Sequence, residues 1–193
     1  MERKGKKTRT IEIEFRARFG EQTYRKLRKF LSAHAEDLGE DNRDAYFFLL
    51  PDRMLKVAHD VSKKEARIVL KLNKIGRGSD FEEIEVPIAE KYFERAAELL
   101  RALGFGAMRS YQKRHNYRYK GVEIALKYSD NWGYHLELEV MISNLKQKCA
   151  AEQKIRHVAA ELGVRLMTEE ELQKFTWRAE EKHKKNSGRE INC

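Results

Sequence analysis

The sequence predicts an α+β fold with eight antiparallel strands, two helices between them and two more after them. Three observations predict it. Apolar and polar residues alternate in most of the strand segments, which is the period of a half-buried β-strand. Other segments repeat their apolar residues at helical spacing instead. No long Pro- or Gly-rich linker divides the 193 residues, so we expect one domain.

The first half of the chain is predicted to open with a strand and a helix. After a basic, disordered lead at residues 1–9, the TIEIEFRARF segment alternates Ile11 and Ile13 with charged residues. Segment 20–39 carries leucines at helical spacing, and Gly39 is its expected stop. Further strands are predicted at 44–50, 53–60, 65–74 and 81–88, and their short connections around Pro51 and in KIGRGSD suit antiparallel hairpins.

The second half is predicted to add a helix, three strands and a helical C-terminal part. Segment 89–105 is amphipathic at helical spacing. From Ser143 to about Lys185 the pattern is helical, with two helices meeting near Gly163 and an unpatterned tail at 186–193. Thr168 with Glu171 forms a capping-box signal for the second helix. The three strands are predicted at 107–120, 121–130 and 134–142.

The charge balance favours polyanionic partners. The chain has 40 Lys and Arg against 31 Asp and Glu, a formal charge of +9, which suits nucleic acid, phosphates or an acidic membrane surface. Two cysteines exclude a disulfide framework and a zinc-ligand spacing. No apolar run reaches membrane-spanning length, and the basic MERKGKK lacks the apolar stretch of a signal peptide. We therefore expect a cytoplasmic protein in a reducing compartment.

The polar faces of four strands carry ordered charges. Three strands contain a Glu-x-Glu pair, and in the first of them two arginines follow the pair on the same face. A solvated sheet face accounts for any one of these strands, but like charges gathered together repel unless a cation lies between them. Carboxylates suit Mg²⁺ or Mn²⁺, and Arg and Lys beyond them would hold phosphate oxygens. On the inner wall of a closed barrel these residues would form a metal–polyphosphate site.

These motifs resemble those of the CYTH superfamily, the triphosphate tunnel metalloenzymes, which includes class IV adenylyl cyclases and thiamine triphosphatases. The resemblance spans roughly Thr10 to Ile142. Its most specific mark, Glu-x-Glu-x-Lys in the first strand, is matched by Glu12, Glu14 and Arg16. The other matches are Lys71 in IVLKLNK, Glu83 and Glu85 in the acidic strand, the basic QKRHNY, and Glu137 and Glu139 in GYHLELEV.

The resemblance implies an eight-stranded antiparallel closed β-barrel, the triphosphate tunnel, at 10–142, with helices at 143–185 packed on it or capping it. Acidic residues would bind Mg²⁺ or Mn²⁺, and basic residues would bind a triphosphate that is hydrolysed or, for ATP, cyclised. The implied catalytic residues are Glu12, Glu14, Glu137 and Glu139. The implied metal ligands are these four with Glu83 and Glu85. The implied phosphate-binding residues are Arg16, Arg18, Lys56, Arg67, Lys71, Lys113 and Arg114, of which Lys113 and Arg114 point to opposite faces.

Three departures from the family pattern leave the activity open. Arg16 replaces the usual lysine, Ala58 stands at a basic position, and Lys127 stands where the family usually has aspartate. The sequence therefore predicts either a metal-dependent triphosphatase, or an adenylyl cyclase, or a module that binds a triphosphate, a nucleotide or an RNA end without turnover. A triphosphate-containing small molecule is the first expected partner, nucleic acid the second, and a membrane is not expected. A homodimer is the expected assembly because two-fold pairing is common.

Overall fold

The computed structural model describes residues 11–50, 52–72 and 78–187. The helices are α1 (Glu21–His34), α2 (Phe93–Ala102), α3 (Lys148–Glu161) and α4 (Glu169–Ser187), with short 3₁₀ turns at Glu90–Tyr92 and Leu145–Gln147. The strands are β1 (Ile11–Arg18), β2 (Glu36–Glu40), β3 (Arg43–Leu49), β4 (Met54–Asp60), β5 (Glu65–Lys71), β6 (Asp80–Ile88), β7 (Ala107–Tyr119), β8 (Val122–Ser129) and β9 (Gly133–Ile142).

Eight of the strands close into an antiparallel barrel. They follow the order β7-β3-β4-β5-β6-β1-β9-β8, and β8 pairs again with β7. The thirteen residues of β7 allow this closure, because its first half pairs with β3 and its second half with β8. The predicted fold and its eight strands are therefore confirmed. The lead at 1–9, the Pro51 connection and most of KIGRGSD lie outside the described residues.

The first helix is shorter than its sequence pattern predicts, and a ninth strand follows it. Helix α1 ends at His34, and Glu36–Glu40 pairs with the second half of β7 as β2. Gly39 has a positive φ of 84° at the irregular pairing between Asp37 and Gly39, where its N–H donates to Asp37 Oδ1 at 2.7 Å. Gly39 therefore shapes a β-bulge, and its interpretation as a helix stop was wrong.

The apolar cores lie outside the barrel, between its outer face and the helices. One core joins α1 and α3 to β1, β8 and β9 through buried residues such as Leu31, Leu138 and Ile155. A smaller core joins α2 to β3, β4 and β5, and in it the ring centroids of Phe93 and Tyr46 lie 5.4 Å apart. The outward residues of each strand therefore supply the hydrophobic packing, and the inward residues are left to line the interior.

Leu31 provides a test of this packing. Its side chain is fully buried in the larger core, so Leu31→Ala should lower the free energy of unfolding by about 2–5 kcal/mol. Lys26→Ala, on the exposed side of the same helix, should change it by less than about 0.5 kcal/mol. Urea denaturation of both variants measures the difference. Equal losses would show that α1 does not pack on the barrel as described.

Candidate active site in the barrel interior

The barrel encloses a cavity of about 200 Å³ with a charged wall. Alternation along β1 turns Ile13 outward and Glu12, Glu14 and Arg16 inward. The antiparallel register then sets Glu139 opposite Glu14 and Glu137 opposite Arg16. The glutamates that line the cavity are Glu12, Glu14, Glu83, Glu85, Glu137 and Glu139, and the basic residues are Arg16, Arg43, Lys56, Arg67, Lys71, Arg114 and Lys127.

Three of the glutamates converge on one point. Carboxylate oxygens of Glu12, Glu14 and Glu139 lie within 4.8 Å of one another. Burial, together with Glu12 and Glu14, raises the pKa of Glu139 to about 8, because close like charges favour the neutral form. The buried carboxylate of Glu14 also forms an ion pair with the Arg16 guanidinium. Oxygen ligands in this arrangement fit a hard divalent cation, which would take the place of the proton on Glu139.

Glu137 has a different environment from the other three. Its carboxylate forms an ion pair with Lys127 Nζ and accepts a hydrogen bond from Arg16 Nε at 3.0 Å. Despite its burial, Lys127, Arg16 and Arg114 hold the pKa of Glu137 well below its usual range. Burial lowers the pKa of Lys127 to about 8. Glu137 is thus already neutralised by side chains of the protein.

Lys71 links the acidic residues of β1 and β6. Its Nζ lies 2.7 Å from Glu83, 2.9 Å from Glu12 and 3.2 Å from Glu14. These carboxylates raise the pKa of Lys71 although its side chain is buried. Lys71 is therefore a fixed cation that orients the carboxylates. Glu85 lies apart from them, 3.7 Å from Arg67 Nε.

The wall formed by β3, β4, β5 and β7 is basic. Arg43 Nε and Arg67 Nε are buried without a hydrogen-bond partner. Lys56 forms no ion pair with any carboxylate in the described part of the chain, and burial with its cationic neighbours lowers its pKa to about 7. Buried donors without acceptors are costly, so this wall fits an anion that supplies the missing oxygen atoms.

The structure places most of the predicted site residues in this cavity. Arg114 lines it and Lys113 is exposed on the outer face, which resolves the choice that the sequence left open. Arg18 lies outside the cavity, at the end of β1, where its Cζ is 4.2 Å from the centroid of the Phe175 ring. The other predicted residues that line the cavity are Glu12, Glu14, Arg16, Lys56, Arg67, Lys71, Glu83, Glu85, Glu137 and Glu139.

Some lining residues were missed in the sequence. Arg43 shares the inward face of β3 with Phe47, but the predicted strand began one residue too late to include it. His135 lies two residues before Glu137 on the inward face of β9 and also lines the cavity. Burial and Lys127 lower the pKa of His135 to about 4. Its ring is neutral near pH 7, and Nδ1, 2.9 Å from the Gly133 carbonyl, carries the proton.

Residues 10–171 match the family model of the CYTH domain. The chain belongs to the CYTH family. No curated protein matches the CYTH chain significantly. Among the residues described, none of the helices has the length and apolar content needed to cross a membrane.

Solved structures share the fold of this CYTH protein. A Pyrococcus horikoshii protein is 26% identical, with a TM-score of 0.67 over 80% of this chain and 91% of its own. A conserved hypothetical protein of Pyrococcus furiosus is 23% identical, with the same TM-score and coverage. A third structure is that of a putative adenylyl cyclase from Hippeastrum with a dominant triphosphatase activity. It is 16% identical, with a TM-score of 0.58 over 81% of this chain and 89% of its own.

Proposed function

We propose that this CYTH protein is a divalent-metal-dependent hydrolase of inorganic or organic triphosphates. One observation carries the proposal: three converging carboxylates face a wall of buried cations across a single cavity, and on that wall Arg43 Nε and Arg67 Nε lack hydrogen-bond partners. A metal ion and a chain of phosphates would together satisfy both walls. The dominant triphosphatase activity in the description of the Hippeastrum protein supports hydrolysis as the reaction.

Each wall has its own role in the proposed reaction. Glu12, Glu14 and Glu139 would hold one Mg²⁺ or Mn²⁺, which would neutralise charge on the phosphate oxygens. Lys71 and Arg16 keep the carboxylates in place through the ion pairs described above. The basic wall orients the triphosphate and stabilises the charge that develops on its oxygens. This group of phosphate-binding residues consists of Arg43, Lys56, Arg67 and Arg114.

We assign Glu137 to the support of the site and not to the metal. Its carboxylate is not among the three whose oxygens converge, and Lys127 and Arg16 pair with it. A divalent ion at Glu137 would therefore lack the other carboxylates of the cluster and would still have to break a buried ion pair. Breaking such a pair is costly. Near pH 7 the ammonium of Lys127 thus provides a positive charge beside the phosphates, and the proposed site would hold a single metal ion.

Binding without turnover is the second candidate, and two observations favour it. Lys127 forms an ion pair with Glu137 and so occupies a carboxylate that could otherwise bind metal. Ala58, a small buried residue on β4, stands where a basic residue was expected. A triphosphate, a nucleotide or the 5′-triphosphate end of an RNA would then remain intact in the cavity. The cytoplasmic location expected from the sequence stays part of the proposal in both cases.

Product analysis tests the proposed function. The purified protein is mixed with tripolyphosphate, thiamine triphosphate or ATP, with Mg²⁺, Mn²⁺ or a chelator. We expect orthophosphate from at least one substrate, only when metal is present. Pyrophosphate and a cyclic nucleotide from ATP would identify a cyclase instead. A higher melting temperature with tripolyphosphate but no product would identify a binding module.

A further inference from the structure

A second cavity lies beside the end of β1, outside the barrel interior. It measures about 280 Å³ and lies where α4 passes Arg18. Its lining includes four cationic side chains and one acidic side chain. The cations are Arg18, Arg165, Lys174 and Arg178, and the acid is Glu171. The family match ends at residue 171, so Lys174 and Arg178 belong to a part of the chain that the family model does not cover.

Local contacts fix α4 at this end of the barrel. The Met167 N–H donates to the Arg16 carbonyl at 2.8 Å. The predicted capping box is present, because the Thr168 N–H donates to Glu171 Oε2 at 2.9 Å and the Glu171 N–H donates to Thr168 Oγ1 at 3.2 Å. One turn further on, the Phe175 ring packs on Trp132, with centroids 4.5 Å apart. Trp132 also lines the barrel cavity, so these two rings lie between the two cavities.

The second cavity has more cationic side chains than the neighbouring carboxylates neutralise. Arg165 donates twice to Glu171, at 2.8 and 3.0 Å, and therefore neutralises the one acidic lining residue. Arg18 donates to the Trp132 carbonyl at 3.0 Å, and within the described residues neither Arg18 nor Arg178 forms an ion pair. Lys174 is paired with Glu170 at 2.6 Å on the exposed helix face, a type of pair that is weak in water. The excess of positive side chains in the lining therefore favours the binding of an anion in this cavity.

We propose that this second cavity binds phosphate groups beyond the third, so that the preferred substrate is a linear inorganic polyphosphate longer than tripolyphosphate. The inference rests on the proposed function, because it treats the cavity as a continuation of the triphosphate site. Arg18 lies two residues beyond Arg16 on the same face of β1, so its guanidinium is the next cation for a phosphate chain that leaves the barrel cavity at this end. A cationic tail, such as the thiazolium of thiamine triphosphate, would be repelled here.

Binding measurements with chains of different length test this inference. The double variant Lys174→Gln with Arg178→Gln removes two exposed cations from α4, and glutamine maintains helix propensity. Lys26→Gln with Arg28→Gln, on the exposed face of α1, is the matched control. Dissociation constants are measured by calorimetry at low salt for tripolyphosphate and for a longer polyphosphate of defined length, on the wild type and both variants.

We expect the wild type to bind the longer chain more tightly than tripolyphosphate. The α4 variant should lose about tenfold in affinity for the longer chain and less than about twofold for tripolyphosphate, and the α1 variant should match the wild type. Equal wild-type affinities for the two chains, or equal losses in both variants, would overturn the inference alone. Failure of the wild type to bind tripolyphosphate would overturn the proposed function as well. Tighter binding of a 5′-triphosphate RNA, lost only in the α4 variant, would replace the inorganic chain with RNA.

Discussion

Replacing Glu14 by glutamine is expected to abolish metal-dependent hydrolysis at ordinary metal concentrations. The carboxylate of Glu14 is buried and converges with Glu12 and Glu139. Arg16 and Lys71 hold its two oxygens in place. Even outer partners of metal ligands cost about 10–100-fold in metal affinity when they are lost. Loss of a direct ligand should therefore weaken Mn²⁺ binding by at least about 100-fold, and phosphate release should fall accordingly.

An exposed acid outside the barrel wall serves as the control for Glu14. Glu98 lies on α2, is exposed, and its carboxylate is 3.5 Å from Arg95 Nη1. Glu98→Gln should leave the rate of phosphate release unchanged, and circular dichroism should show that both variants are folded. A Glu14→Gln variant with wild-type turnover would remove the three-carboxylate cluster from the proposed mechanism.

Lys56 is expected to make triphosphate binding depend on pH. Burial lowers the pKa of Lys56 to about 7, so its ammonium loses its proton as the pH rises through that value, and a charge opposite the phosphates is lost with it. Metal-free affinity for tripolyphosphate should thus weaken between pH 6 and pH 8 in the wild type. Lys56→Arg retains its charge throughout this range, so the part of the pH dependence that disappears in this variant is due to Lys56. The part that remains belongs to the ligand and to Glu139 and Lys127, whose pKa values are about 8.

The same lysine should cost the protein stability. The unfolded chain binds the proton of Lys56 up to its ordinary pKa of 10.5 and the folded chain only up to about 7, so its contribution to stability rises with pH between these values and is lowest below pH 7. Lys56→Met should therefore raise the free energy of unfolding at pH 7 by more than about 1.4 kcal/mol, the equivalent of one pKa unit, and should reduce tripolyphosphate affinity. Lower stability of the methionine variant would contradict the described environment of Lys56.

The fold could be predicted because each strand repeats the same alternation. Ile13 and Leu138 face the external core while Glu14 and Glu137 face the interior, and this period of two is visible in a single sequence. The short strand β2 could not be predicted, because EDLGE has no apolar alternation. It is held by pairing with β7, a contact between residues far apart in the chain.

The division of the site into an acidic and a basic wall needed the structure. Glu137 and Glu139 have the same residue type, strand and inward face, but Glu137 contacts Lys127 and Arg16 while Glu139 faces Glu12 and Glu14. The residues that each of these two glutamates contacts are determined by the register between neighbouring strands, which the local sequence does not show. Their opposite pKa shifts follow from those contacts and not from the local sequence.

Titration of the metal-free protein with Mn²⁺, followed by electron paramagnetic resonance, tests the central claim most directly. We expect one tightly bound Mn²⁺ per chain, lost in Glu14→Gln and retained in Glu98→Gln. We also expect added tripolyphosphate to bring phosphorus nuclei close enough to couple magnetically with that ion. Equal Mn²⁺ binding by the wild type and Glu14→Gln, or a bound ion that shows no coupling to phosphorus, would contradict the assignment of the barrel interior as a metal–triphosphate site.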